Sequence, residues 1–314
     1  MRMGWLGWSL AVLVGTALAV GTFVGWAFAS GSIASLDALD SFYPRSRGAR
    51  LVAAAHYGPD AAQKLELFVP MGEAPPRGFP LVAFIHGGNW RHGDPHDYGF
   101  IARTFAERGY ATVLLGYRLG EAGRYPAMLE DGASGLRWTI QHAQVHRVDP
   151  GRIVLIGHSA GAYNGMMLAL DRRWLQHEGV ASDRIAGVVG LAGPYDFHPW
   201  TSDAVRDAFG AWPRPAETQP IRYVSAAAPP LLLLHGEADT TVRPRESRAL
   251  LRAALAVGAP VEARFFPGVS HGGIILALSR PFRGDGAVGA ATFAFLDRVL
   301  GTASSPVQAA PPKR

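Results

Sequence analysis

The stretch RIVLIGHSAGAYNGMM, Arg152 to Met167, takes the chain from a strand to a helix within five residues. Ile153, Val154 and Ile156 are β-branched and read as a strand, and Ala162 to Leu170 reads as a helix. Between them lies Gly157-His158-Ser159-Ala160-Gly161, the pattern G-x-S-x-G. A turn of this kind is tight and strained, and it lifts the serine oxygen above the edge of a sheet. Strained backbone needs a small neighbour on each side, and glycine supplies both. The helix that begins here has free N–H groups, so that of Ala160 would face an oxyanion on a substrate. The simpler alternative makes Ser159 a helix N-cap and nothing more. The strand before it and the helix after it favour a nucleophile.

The rest of the chain repeats the alternation. Leu65–Val69 reads as a strand stopped by Pro70. Leu81–Ile85, Ala111–Leu115, Ile153–Ile156, Ile185–Leu191, Leu231–Leu234 and Val261–Phe266 read as further strands, several of them continuous apolar runs that mark burial on both faces. Helical periodicity runs over Phe100–Arg108, Pro126–Val145, Arg245–Val257 and Val288–Leu300. The order predicts an α/β fold with a mostly parallel sheet and helices on both faces. Sites in such sheets lie at the C-terminal ends of the strands. Pro194 to Pro229 breaks the rhythm with no strong helical pattern. Its aromatics, Phe197, Trp200, Phe209, Trp212 and Tyr223, favour a lid over a disordered insertion and predict an apolar or aromatic substrate group. Residues 31–50 read as a linker, 51–301 as the folded domain, and 302–314 as a disordered tail.

A serine hydroxyl needs a base, and the base needs an orienting carboxylate. After the strand in PLLLLHGEADTTV come Glu237 and Asp239; after the strand in ARFFPGVSHGG comes His271. The order Ser, acid, His is thus available as Ser159, Asp239 and His271. Asp239 is preferred because it sits deeper in its loop, with Glu237 as the alternative. His158 is no candidate base, since a side chain adjacent in sequence points away from the serine oxygen. A second oxyanion donor is expected after the third strand, where His86-Gly87-Gly88-Asn89-Trp90 follows a buried run.

HGGNW, GYRL, YPAMLEDG, GHSAG, GPYDF, HGEADTTV and GVSHGG together resemble an α/β-hydrolase of the esterase/lipase group, in the branch with His-Gly-Gly-x-Trp shared by kynurenine formamidases and small carboxylesterases. The likeness spans roughly Tyr57 to Leu300. It implies the α/β-hydrolase fold and a serine hydrolase that cleaves a carboxylic ester or, alternatively, an amide such as a formamide. Ser159 would be the nucleophile, Asp239 the acid and His271 the base. Gly88, Asn89 and Ala160 would give the oxyanion N–H groups, with Gly87 supporting the turn. A non-catalytic binding domain of the same fold would be expected to lose a triad member, and all three are present. A peptidase would be expected to carry an added propeller domain, and nothing resembles one.

Composition excludes other chemistries. There are no cysteines, hence no disulfide, thiol nucleophile or thiolate zinc site. A charge of +5 over 314 residues, with no basic run, reads as an ordinary solvated surface and not a nucleic-acid face. No cofactor fingerprint occurs. His92, Asp94 and His96 fit no common metal spacing and are expected at the mouth of the pocket. At the N-terminus, Gly4–Ala29 is almost wholly apolar, with Arg2 the one charge before Asp37. A helix of that length reaches roughly 39 Å, enough to cross a hydrocarbon core of about 30 Å with tilt. The reading preferred is an uncleaved membrane anchor, with the N-terminus in the cytoplasm and the domain outside. The alternative is a signal peptide cleaved after Ala27-Phe28-Ala29. Either exports the domain.

Overall fold

The computed structural model describes residues 33–43 and 48–301. Their strands form one eight-stranded sheet in the order β1-β2-β4-β3-β5-β6-β7-β8. The strands are β1 (Ala49–His56), β2 (Lys64–Pro70), β3 (Phe79–Ile85), β4 (Ala111–Leu115), β5 (Val148–His158), β6 (Ile185–Leu191), β7 (Leu231–Gly236) and β8 (Val261–Phe266). From β4 through β8 every pairing is parallel; β2 joins β4, and β1 joins β2, in antiparallel sense.

Alternate residues of the central strands feed two cores. Leu81, Ala83 and Ile85 of β3, with Ile153 and Leu155 of β5, pack on one face. That face is covered by α3 (Ala127–His142), through Met128, Leu129 and Leu136, and by α4 (Ala160–Leu170), through Met166 and Met167. Val82, Phe84, Val154 and Ile156 point the other way. They meet α2 (Gly99–Ala106), through Phe100, Ile101 and Phe105, and α9 (Ala287–Leu300), through Phe295 and Leu296. Burial on both faces is why these strands read as unbroken apolar runs.

The expected linker over 31–50 is not one throughout. Ile33–Ser41 forms helix α1, and β1 already begins at Ala49. The helix is held by charge. Asp40 is fully buried and takes Arg103 Nε at 2.9 Å and Arg280 Nη1 at 2.7 Å, while Asp37 pairs with Arg103. These partners lie more than sixty residues away, so nothing in the local pattern announces the helix. Among the described residues no helix is long and apolar enough to cross a membrane. The expected span Gly4–Ala29 and the expected tail 302–314 lie outside the described residues.

The insertion between β6 and β7 is ordered. After the short helix α5 (Arg173–His177), which precedes β6, the insertion holds α6 (Asp203–Phe209) and two short 3-10 turns. Buried Gln219 accepts the N–H groups of Phe197 (2.7 Å) and His198 (3.2 Å), and Arg91 pairs with Asp207 of α6.

Candidate active site

The ends of β3, β5, β7 and β8 converge on Ser159. The strand-to-helix turn has its strain on the serine itself, at φ 55° and ψ −119°. A non-glycine residue held there costs about 1–3 kcal/mol, which the surrounding fold must enforce. The two flanking glycines are needed for space. A Cβ on Gly161 would lie 2.0 Å from the carbonyl oxygen of Ile85, and one on Gly157 would lie 2.2 Å from that of Gly161. The first helical turn of α4 is thereby pressed against the end of β3.

His271 stands at the start of the short helix α8 (His271–Leu276), capped by Ser270. The Ser159 hydroxyl donates to His271 Nε2 at 2.9 Å, and His271 Nδ1 donates to Asp239 Oδ2 at 2.7 Å. Asp239 Oδ1 accepts two backbone N–H groups, from Thr241 and Val242, each at 2.9 Å. Burial alone would push this carboxyl up. Hydrogen bonds from His235 and His271, together with the charge of His271 and the Val242 amide, instead hold it well below the usual carboxylate range. The alternative acid, Glu237, is turned to the surface and paired with Arg248.

His235 is the group the sequence did not expose. It is fully buried in β7, with Nε2 2.8 Å from the Val242 carbonyl and 3.3 Å from Asp239 Oδ2. Its Nδ1 lies 2.7 Å from Ser247 Oγ, on α7 (Arg245–Ala256). The ring therefore braces the Asp239 loop against a helix. The only local signal is a histidine within an apolar strand.

His158 turns from the serine, as its position requires. Its Nε2 donates to the His271 carbonyl at 3.0 Å and so fixes the main chain beneath that ring. The HGGNW loop is held as firmly. His86 is stacked between Tyr98 and Tyr117, and the Tyr117 hydroxyl donates to the His86 carbonyl at 3.1 Å. Gly88, Asn89 and Trp90 all have positive φ. Gly88 has no room for a side chain, since a Cβ would sit 1.8 Å from the His92 carbonyl, and Gly87 packs against Ser159. Trp90 ties the loop to α4, its indole N–H donating to Asn164 Oδ1 at 3.1 Å. The backbone N–H groups of Asn89 and Ala160 bond to none of the described residues.

Asn89, Ala160 and Ser159 line one cavity of about 460 Å³. Lid residues Pro194, Phe197, Thr201, Ser202, Ala204 and Val205 form its opposite wall. Here an expectation fails. Of the five lid aromatics only Phe197 reaches the cavity. Phe209 is fully buried in the core, Trp200 packs near it, Trp212 packs on Tyr125, and Tyr223 packs by Arg173. They hold the lid down, and the wall they leave is rich in hydroxyls. His92, Asp94 and His96 are also not at the cavity mouth. Asp94 pairs with Lys64 at 2.6 Å and His96 with Glu66 at 2.8 Å, both on β2.

Two of the buried histidines, His86 and His158, set an acid limit on stability. Burial pushes His86 down to about 4; burial, with His271 adjacent, pushes His158 down to about 3. The unfolded chain binds protons that these rings refuse when folded, so stability falls as pH drops below about 6.5. The slope is about 1.4 kcal/mol per pH unit for each ring, down to the folded values. Exposed His96, raised by its bond to Glu66, works in the opposite sense and is screened by solvent. The urea midpoint should drop steeply from pH 6.5 to 4; a flat midpoint would refute the assignment of both rings as neutral.

An eight-stranded, mostly parallel sheet with this elbow, this loop and this order of side chains is an α/β-hydrolase fold. The chain belongs to the BD-FAE family, whose model matches residues 65–254, more than half of it. Probable isoprenylcysteine alpha-carbonyl methylesterase ICMEL1 of Arabidopsis thaliana is 25% identical over 251 residues, covering 73% of this chain and 52% of that protein. Kynurenine formamidase of Danio rerio is 29% identical over 175 residues, covering 55% and 57%. The chain spans about half the length of these curated relatives. Among solved structures, esterase B from Lactobacillus Rhamnosis (HN001) superposes with a TM-score of 0.72 at 19% identity, over 91% of this chain and 96% of that one; at such identity the likeness speaks for the fold.

Proposed function

We propose that this chain is a serine hydrolase that cleaves a carboxylic ester through an acyl-enzyme. The observation that carries the reading is the chain of two short hydrogen bonds, Ser159 Oγ to His271 Nε2 and His271 Nδ1 to Asp239 Oδ2, beside an open cavity. Ser159 Oγ attacks the acyl carbon while its proton passes to His271 Nε2. The oxyanion takes the N–H groups of Ala160 and of the loop, Asn89 or Gly88, which Gly87 lets approach the serine. The intermediate collapses, and the leaving alkoxide takes the proton from Nε2. A water, deprotonated by His271, then releases the acid and restores the serine.

Relatives named as methylesterases and esterases support an ester substrate. The relative named kynurenine formamidase supports an amide as the second reading, since the same groups cleave both. Turnover of short p-nitrophenyl esters and of N-formylkynurenine by the full chain, each with Ser159→Ala as control, separates the readings. Absence of both activities leaves a non-catalytic binding domain.

The apolar segment Gly4–Ala29 anchors the chain in a membrane, with the domain outside the cytoplasm; its length and its sparse charge support this. The intact mass of the mature protein should include residues 1–29. A mass that starts at Ser30 rules out the anchor in favour of a cleaved signal.

A further inference from the structure

The cavity beside Ser159 carries a cation that no acid among the described residues pairs with. Three charged side chains line it: Arg243, Arg245 and Glu246. Glu246 is buried and already satisfied. One of its oxygens accepts the N–H groups of Asp196 at 2.9 Å and Tyr195 at 3.3 Å, and the other takes Arg245 Nε at 3.3 Å. Asp239, the other acid of this loop, is engaged by His271, His235 and two backbone amides. Glu237 is engaged by Arg248. Arg243 is left exposed on the cavity wall, with no ion pair or side-chain hydrogen bond among the described residues. The same cavity is lined by the hydroxyl-bearing Thr240, Thr241, Thr201 and Ser202 and by the apolar Trp90 and Phe197. An apolar group lying against Arg243 would have to share that space with a hydrated guanidinium. An anion would gain a planar fork of donors and four hydroxyls able to donate.

From this arrangement we infer that the hydrolase selects esters bearing a carboxylate away from the scissile bond, and that Arg243 is the residue that binds it. The inference rests on the reading of Ser159 as a nucleophile and adds the class of substrate. The carboxylate oxygens accept from the Arg243 guanidinium while the ester carbonyl lies against Ser159. No bond to Arg243 forms or breaks in the reaction.

The test compares matched pairs on the full chain. p-Nitrophenyl hydrogen adipate against p-nitrophenyl hexanoate places the charge on the acyl side. 4-Carboxyphenyl butyrate against phenyl butyrate places it on the alcohol side. The quantity read is the ratio of kcat/KM for the anionic ester to that for its neutral partner. In at least one pair, Arg243→Gln should lower that ratio about tenfold, and Arg243→Glu should lower it further. Added salt should lower it in the unaltered chain. If the neutral esters are hydrolysed and neither ratio moves in either variant, Arg243 does not select the substrate. If no ester is hydrolysed at all, the reading of the chain as an ester hydrolase fails, which is a separate result.

Discussion

Ser159→Ala should lower kcat on a short p-nitrophenyl ester by about 10⁴ to 10⁶, equivalent to about 5–8 kcal/mol of transition-state stabilisation. The size follows from what remains. The variant keeps the oxyanion amides and the cavity, so a bound ester is still polarised, but no covalent intermediate can form. KM should move only a few-fold, because the hydroxyl contributes little to holding the substrate. The backbone that defines the turn also remains. The Ser159 N–H donates to the Leu191 carbonyl at 2.9 Å, and the Ser159 carbonyl accepts from Ala162 at 3.0 Å and Tyr163 at 3.2 Å. None of these three bonds involves the side chain, so the thermal midpoint should stay within a few degrees. His271→Ala should cost a comparable amount. The double variant should be no worse than the poorer single one, because a nucleophile without its base and a base without its nucleophile are equally idle. Losses that multiply in the double variant would mean that the two side chains act independently, contrary to the 2.9 Å contact between them.

Where the sequence was legible, the reason is local. Continuous branched runs place β3, β5, β6 and β7 because a strand covered on both faces has no polar side to alternate with. The elbow is legible because close approach of backbone to backbone leaves glycine no substitute at 157 and 161. Asp239 and His271 are legible because parallel strands deliver their following loops to one edge of the sheet. What stayed hidden depends on partners far along the chain. Helix α1 is fixed by Arg103 and Arg280, not by its own pattern. Asp94 and His96 find Lys64 and Glu66 thirty residues earlier, and so turn from the cavity. The lid aromatics showed that the insertion was ordered, but composition says nothing of direction. Whether Phe209 faces a substrate or the core is decided by Trp90 and Tyr163, which meet it edge-on. His235, just past the run Leu231–Leu234, stays hidden because Ser247, its partner, belongs to the next helix.

Asp239→Asn should lower kcat by about 10⁴ while leaving the fold and KM nearly intact. The geometry dictates the mechanism of the loss. Oδ1 of Asp239 accepts two backbone N–H groups, from Thr241 and Val242. In the variant, the amide oxygen must take that place, since an NH₂ there would face two donors. The NH₂ is then forced into the Oδ2 position, opposite His271 Nδ1. A donor in that position requires Nδ1 to be the bare nitrogen of the ring. The proton moves to Nε2, which then points its N–H at Ser159 and can no longer receive the hydroxyl proton. The imidazolium that forms in the reaction also loses the carboxylate beside it. Glu237→Gln is the matched control. That side chain pairs with Arg248 at the surface, and its kcat should remain within about twofold of the unaltered chain. A loss of less than tenfold in Asp239→Asn, measured on protein with an unchanged thermal midpoint, would mean that the Oδ2 to Nδ1 hydrogen bond does not set the tautomer of His271. The acid would then have to be sought elsewhere, and Glu237→Gln would be the variant to lose activity.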